Sequence, residues 1–133
     1  MDRMKILHTG TLDAKAGGPS TSTYLTLKGL VRQGIEAEIF CPPFKNESID
    51  TETFSIHLST QVLKTKLAYS STYKKELEAL GEYDIYHALG IWQYPTYALI
   101  DTARKKGKPY VITPRGMLYP QDIAKSNRFF KQL

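Results

Sequence analysis

Two adjacent glycines followed by a proline, a cation two residues before them, and an arginine set directly before a glycine are the combinations here whose types and spacing could do chemistry. Gly17-Gly18-Pro19 sits between the apolar run Ile6-Leu7-His8 and an amphipathic stretch, with Lys15 just upstream. Paired glycines let the backbone take positive φ and come close to a ligand, and proline suits the first turn of a helix. Amides at such a helix start, the helix dipole and Lys15 together favour a phosphate or a carboxylate; the alternative is that Gly-Gly-Pro only turns the chain from strand to helix. Further along, Arg115-Gly116 offers a permanent, fork-shaped cation that can hold an acidic group through two hydrogen bonds or can hold its own loop through carbonyls. Trp92 offers a flat apolar face in a loop, or simple packing.

The elements that must position these residues follow from periodicity. Lys5 to Thr9 reads as a strand, the glycine loop follows it, and Thr21 to Gln33 repeats apolar residues at helical spacing, with Tyr24, Leu27, Leu30 and Val31 as its buried stripe and Gly34 as its stop. Glu36 to Cys41 is a second strand ended by Pro42-Pro43, Phe54 to Leu58 a third, and Gln61 to Leu80 helical with a weak middle at Ser70-Ser71-Thr72. Tyr83 to Leu89 is a fourth strand, Tyr94 to Lys106 a helix closed by Gly107, and Lys108 to Thr113 a fifth strand before Pro114; Tyr119 onward is helical. Strands separated by helical crossovers predict an α/β domain: three layers, Rossmann-like, with a mainly parallel sheet and right-handed connections. Ligands of such sheets gather at the carboxyl ends of the strands, where the loops 15–20, 90–93 and 114–118 would lie.

Composition narrows the classes. The chain has 133 residues, the size of one domain spanning 1–133, and a formal charge of +5. No apolar run is long enough to cross a bilayer, and Met1-Asp2-Arg3-Met4 leads into the first strand without a signal-peptide core, so a cytoplasmic protein is expected. The single Cys41 reads as a structural thiol, and His8, His57 and His87 are scattered without metal-ligand spacing, so neither a metal nor a cofactor is expected. Arg104, Lys105, Lys106 and Lys108 cluster at one helix end, and Lys125, Arg128 and Lys131 follow near the last residue. Cations suit a helix C-terminus, while a face carrying both clusters suits anionic lipid at the inner face of a membrane or an acidic partner; no nucleic-acid motif accompanies them. Neither Gly-x-Gly-x-x-Gly nor Gly-Lys-Ser/Thr is present, which argues against a dinucleotide enzyme and a P-loop NTPase, and a receiver module would need more acids at the strand ends than Asp13.

Taken together, Met4 to His8, Gly17-Gly18-Pro19 before a helix, Tyr83 to Trp92, and Tyr110-Val111-Ile112-Thr113-Pro114-Arg115-Gly116-Met117-Leu118 resemble the N-terminal domain of family 4 retaining glycosyltransferases, one half of a GT-B fold. The resemblance covers nearly the whole chain. It implies an acceptor-side domain facing a donor-binding domain that this chain does not contain, transfer of a sugar from a nucleotide-sugar substrate to a glycan or lipid-linked acceptor with retention, and a role in polysaccharide or cell-surface glycan assembly. It implies a donor-diphosphate role for Gly17, Gly18 and Lys15, and acceptor or cleft roles for His87, Trp92, Arg115 and Gly116. His87 matches the first histidine of a His-x-His-Gly pattern whose second is Leu89 here, and a core histidine satisfied by hydrogen bonds is its alternative. No residue is assigned a catalytic role, and the domain by itself is expected to transfer no sugar. A non-catalytic binding domain that kept this fold is the competing class.

Overall fold

The computed structural model describes residues 3–60, 72–90 and 94–114. Five strands, β1 (Lys5–Thr9), β2 (Glu36–Cys41), β3 (Ser55–Leu58), β4 (Ile85–Leu89) and β5 (Tyr110–Thr113), form one sheet in the order β3-β2-β1-β4-β5. Every neighbouring pair is parallel, with Leu7 opposite Glu38 and Tyr86, and His8 opposite Ile39 and His87. The order reverses direction at β1, so the crevice of this doubly wound sheet lies between the carboxyl ends of β1 and β4.

Among the described residues three α-helices cover the sheet: α1 (Gly18–Arg32), α2 (Tyr73–Glu78) and α3 (Tyr94–Lys105). Side-chain alternation decides which face each one meets. Leu7, Phe40, Tyr86 and Ala88 point to one face, where Tyr73 and Leu77 of α2 and Ala98, Leu99 and Ala103 of α3 close over them. Ala37, Ile39 and Cys41 point to the other, against Leu27 of α1, Leu12 and Phe54. Burying an aliphatic or aromatic side chain of this size contributes about 1.5 to 3 kcal/mol each, so the two clusters fix which face every helix takes. Cys41 belongs to the second cluster; burial pushes its thiol up to about 12, which makes it the structural thiol expected from its setting.

Local chemistry explains the boundaries. The first helix begins at Gly18, three residues earlier than periodicity alone suggests, because Pro19 and Gly17 already have the geometry of a helix start. Its end is a Schellman turn: Gly34 takes φ 86°, its amide donates to Val31 and that of Ile35 to Leu30. Gly107 closes α3 in the same way, with the Gly107 and Lys108 amides donating to Arg104 and Ala103. The buried side of α1 is Leu27 with Ser20 and Thr23, while Tyr24, Leu30 and Val31 pack at its margin. Strand β4 starts at Ile85 and β5 at Tyr110, each two residues later than expected; Pro109 has no amide to give the ladder. Of the predicted helix 61–80 the described part is α2, and residues 61–71 and the stretch from Tyr119 lie outside the described residues. Among the described residues no helix is long and apolar enough to cross a membrane.

The basic cluster at the end of α3 has internal partners. Lys106 Nζ donates to the carbonyls of Glu78 at 3.1 Å and Gly81 at 2.6 Å, where α2 ends and its last carbonyls lack helical partners. Lys105 pairs with Glu78 and Asp101, and Lys74 pairs with Asp101 as well. Two of the four cations therefore tie α3 to α2.

Candidate functional site at the carboxyl ends of β1, β4 and β5

Parallel pairing brings the carboxyl ends of β1, β4 and β5 side by side, so the glycine loop opens at the same end of the sheet as Gly90 and Pro114. The approach is close. A Cβ on Gly10, just after β1, would lie 3.2 Å from Leu89 Cβ and 3.5 Å from Thr23 Oγ1, so a side chain at this exit from β1 would require Leu89 to give by a few tenths of an ångström.

The glycine loop itself is a short 3-10 turn, Ala14–Ala16, followed by Gly17 as the N-cap of α1. Gly17 has φ 66° and ψ −122°, a region that L side chains avoid. Gly18 differs: it is the first residue of α1, and a Cβ there would meet nothing within 4 Å. Outside its chain neighbours, no packing within the described residues demands glycine at that position, while Pro19 after it disfavours helical backbone in a residue that carries a Cβ. The expected cluster of free amides is reduced to one. The Ser20 and Thr21 amides both donate to the Gly17 carbonyl and that of Gly17 to Ala14, and Pro19 has none, which leaves the Gly18 N–H, among the described residues, as the amide available at the positive end of the helix dipole. Lys15 is exposed, and its backbone amide donates to Asp13 Oδ1 at 3.0 Å. The arrangement can receive an anion at one amide and one mobile cation.

Beneath the crevice runs a row of polar side chains from three strands, His8, His87 and Thr113. His8 is completely buried. Its Nδ1 lies 3.0 Å from the Glu38 carbonyl, and since a carbonyl only accepts, the proton sits on Nδ1 and Nε2 carries the lone pair. Nε2 is buried without a hydrogen-bond partner among the described residues. Burial, outweighing the bond to Glu38 and aided by the neighbouring His87, lowers the His8 pKa from 6.5 to about 4. The His8 and His87 rings meet edge to face with centroids 5.0 Å apart, and His87 Nε2 is 2.7 Å from Thr113 Oγ1. His87 is thus a half-buried, hydrogen-bonded residue under the crevice.

Glu38 works on both faces. Its carbonyl holds His8, while its carboxylate, on the α2–α3 side, accepts from Tyr83 Oη at 2.7 Å and His57 Nε2 at 2.6 Å, with Lys5 Nζ at 3.6 Å. Burial pushes this carboxyl up, but the two hydrogen bonds and Lys5 outweigh it and hold it below the usual carboxylate range. The other side of the glycine loop is lined by the segment joining β2 and β3. There Phe44, Asn46, Thr51, Ile56 and Leu58 surround an open groove of about 430 Å³.

Of the residues singled out by sequence, the structure places Gly17, Gly18 and Lys15 on one loop at the end of β1 and His87 beside β1 in β4. Trp92, Arg115 and Gly116 lie outside the described residues. His8 and Asn46 were not singled out. Strand alternation places His8 on the face covered by α1, which is a sequence-level signal for its burial, whereas nothing in a polar loop distinguishes Asn46. Among the described residues no group of three or more His, Cys, Asp or Glu could hold a metal ion.

Comparison with known proteins agrees with the fold and adds a family. The C-terminal domain of a hydrogenase from Pyrococcus furiosus is similar in structure, with a TM-score of 0.55, 12% identity, and coverage of 84% of this chain and 92% of that one; at this identity the likeness concerns the fold alone. No curated protein matches the sequence. A family model described as Glycosyltransferase Family 4 matches residues 16–133, from the glycine loop through the last residue, and the chain belongs to that family.

Proposed function

We propose that this chain is the acceptor-side, N-terminal half of a two-domain glycosyltransferase of the GT-B type, which transfers a sugar from a nucleotide-sugar donor to a glycan or lipid-linked acceptor with retention. The family match over residues 16–133 supports a transferase. The observation that carries the reading is Gly18: a glycine at the positive end of a helix, with open space beyond its chain neighbours where a side chain would be.

In this reading the donor diphosphate approaches Gly17 and Gly18 from a second, donor-binding domain. The Gly18 N–H, the dipole of α1 and Lys15 stabilise negative charge as the diphosphate leaves, which is electrostatic assistance more than proton shuttling. Trp92, Arg115, Gly116 and His87 belong to the acceptor side of the same cleft, Arg115 holding an acidic group and Trp92 stacking on a sugar ring. The chain by itself supplies one wall. Incubated with nucleotide sugars and a panel of glycan and lipid-linked acceptors, it is expected to give no transfer above the uncatalysed level, while the same chain joined in frame to a donor-binding domain is expected to turn over. Sustained transfer by residues 1–133 alone would overturn the two-domain reading.

A further inference from the structure

Asn46 lies on the segment between β2 and β3, well separated in sequence from the glycine loop, yet it touches both ends of that loop. Its Nδ2 donates to the Leu12 carbonyl at 2.9 Å, just before the loop, and to Ser20 Oγ at 3.2 Å, just after it. One planar amide therefore sets the span across which residues 13–19 must close. The amide is itself held: Asn46 Oδ1 accepts from the Ser48 amide at 3.1 Å and from Ser48 Oγ at 2.6 Å. A backbone bond reinforces the clamp, with the Ala14 amide donating to the Lys45 carbonyl at 3.1 Å. Leu12 and Ser20 are both buried at the two feet of the loop, so the clamp acts between fixed points.

We propose that Asn46 is a positioning residue for the glycine loop, setting the direction of the Gly18 N–H by bridging Leu12 to Ser20; its importance for donor binding rests on the function proposed above. The chemistry is specific to an amide. Two donors on one nitrogen reach a carbonyl and a hydroxyl together, while the oxygen on the same plane is anchored by Ser48. Asparagine fills all four of its hydrogen-bonding positions here, so it reads no ligand and acts only through the loop. Aspartate has the same shape but would present an acceptor to the Leu12 carbonyl, leaving two acceptors facing each other.

The test is residue-resolved amide exchange on the 133-residue chain, following the hydrogen-bonded amides of Ala14, Ala16, Gly17, Ser20 and Thr21. Asn46→Ala and Asn46→Asp are expected to speed exchange at these amides by about tenfold or more, with the sheet amides of β1 and β4 changed far less. Ser48→Ala, which leaves both Nδ2 bonds in place, is expected to change the loop amides much less than either. Loop exchange that is unaltered in both Asn46 variants, or acceleration spread evenly over loop and sheet, would overturn the proposal. A parallel titration with inorganic pyrophosphate separates the two ideas: a wild-type loop that ignores pyrophosphate while the exchange contrast persists would remove the diphosphate and retain the brace.

Discussion

Lowering the pH from 7 to about 4 is expected to remove about 3 kcal/mol of folding stability through one residue, His8. Its pKa falls from 6.5 to about 4 on folding, because its ring is fully buried, which outweighs the opposing bond from Nδ1 to the Glu38 carbonyl. The unfolded chain therefore binds a proton that the folded chain refuses, and stability rises with pH wherever this holds. The contribution is intact above pH 6.5, falls as the pH drops through 6.5 towards 4, and is fully lost below that. The Glu38 carboxyl has the same sign, but it is held below its ordinary value of 4.5, so most of its effect comes at lower pH. Urea unfolding at pH 7, 5.5 and 4.5 isolates the histidine. His8→Gln is expected to be less stable at pH 7 by about 1 to 2 kcal/mol, for loss of a buried hydrogen bond and packing, yet to show a clearly shallower decline between pH 6.5 and 4.5. Equal slopes for the two proteins would mean that His8 does not carry the acid sensitivity.

The two loop glycines are expected to respond differently. Gly17→Ala forces a side chain into φ 66°, ψ −122° and should cost about 1 to 2 kcal/mol, although a Cβ there meets no atom within 4 Å. Gly18→Ala lies in helical backbone with no atom within 4 Å beyond its chain neighbours; the gain of up to about 0.5 to 1 kcal/mol from restricting the unfolded chain is offset by crowding of the new Cβ against Pro19, so stability should change little. If the donor diphosphate docks against Gly18, the same change lowers transfer by the complete enzyme by about tenfold or more while its melting temperature stays nearly level. Near-unchanged stability with poorer binding is the signature of a residue kept for a ligand. Unchanged transfer in Gly18→Ala would show that the space above Gly18 is not used.

Much of the fold was legible because its signals are local. Glu36 to Cys41 forms β2 with the bounds that Gly34 and Pro42 imply, and Gly34 and Gly107 end their helices through the positive φ that glycine supplies. The start of α1 and the first residues of β4 and β5 were less legible, because a strand end is decided by which neighbour supplies the ladder partner. Lys106 illustrates the same point for charge. In sequence it belongs to a basic cluster, but in the structure its ammonium caps the carbonyls that end α2.

The candidate site divides along the same line. Gly17, Gly18 and Lys15 were readable since paired glycines before a proline already imply a loop and a helix start. His8 and Asn46 act through partners 30 and 34 residues away in sequence, a distance that periodicity does not bridge. His87 was readable as a strand residue, but its edge contact with His8 and its bond to Thr113 depend on β1, β4 and β5 lying side by side.

The most direct test of the donor-facing cleft follows the glycine amides of the isolated chain while UDP or GDP is added at millimolar concentration. Gly17 and Gly18 stand at the carboxyl end of the sheet, whereas Gly34, Gly81 and Gly107 lead into the amino ends of β2, β4 and β5, so the molecule carries its own reference resonances. Movement of the Gly17 and Gly18 amides together with Lys15, and stillness at Gly34, Gly81 and Gly107, is the predicted result. Movement confined to the amino-end glycines, or none at Gly18, would contradict it.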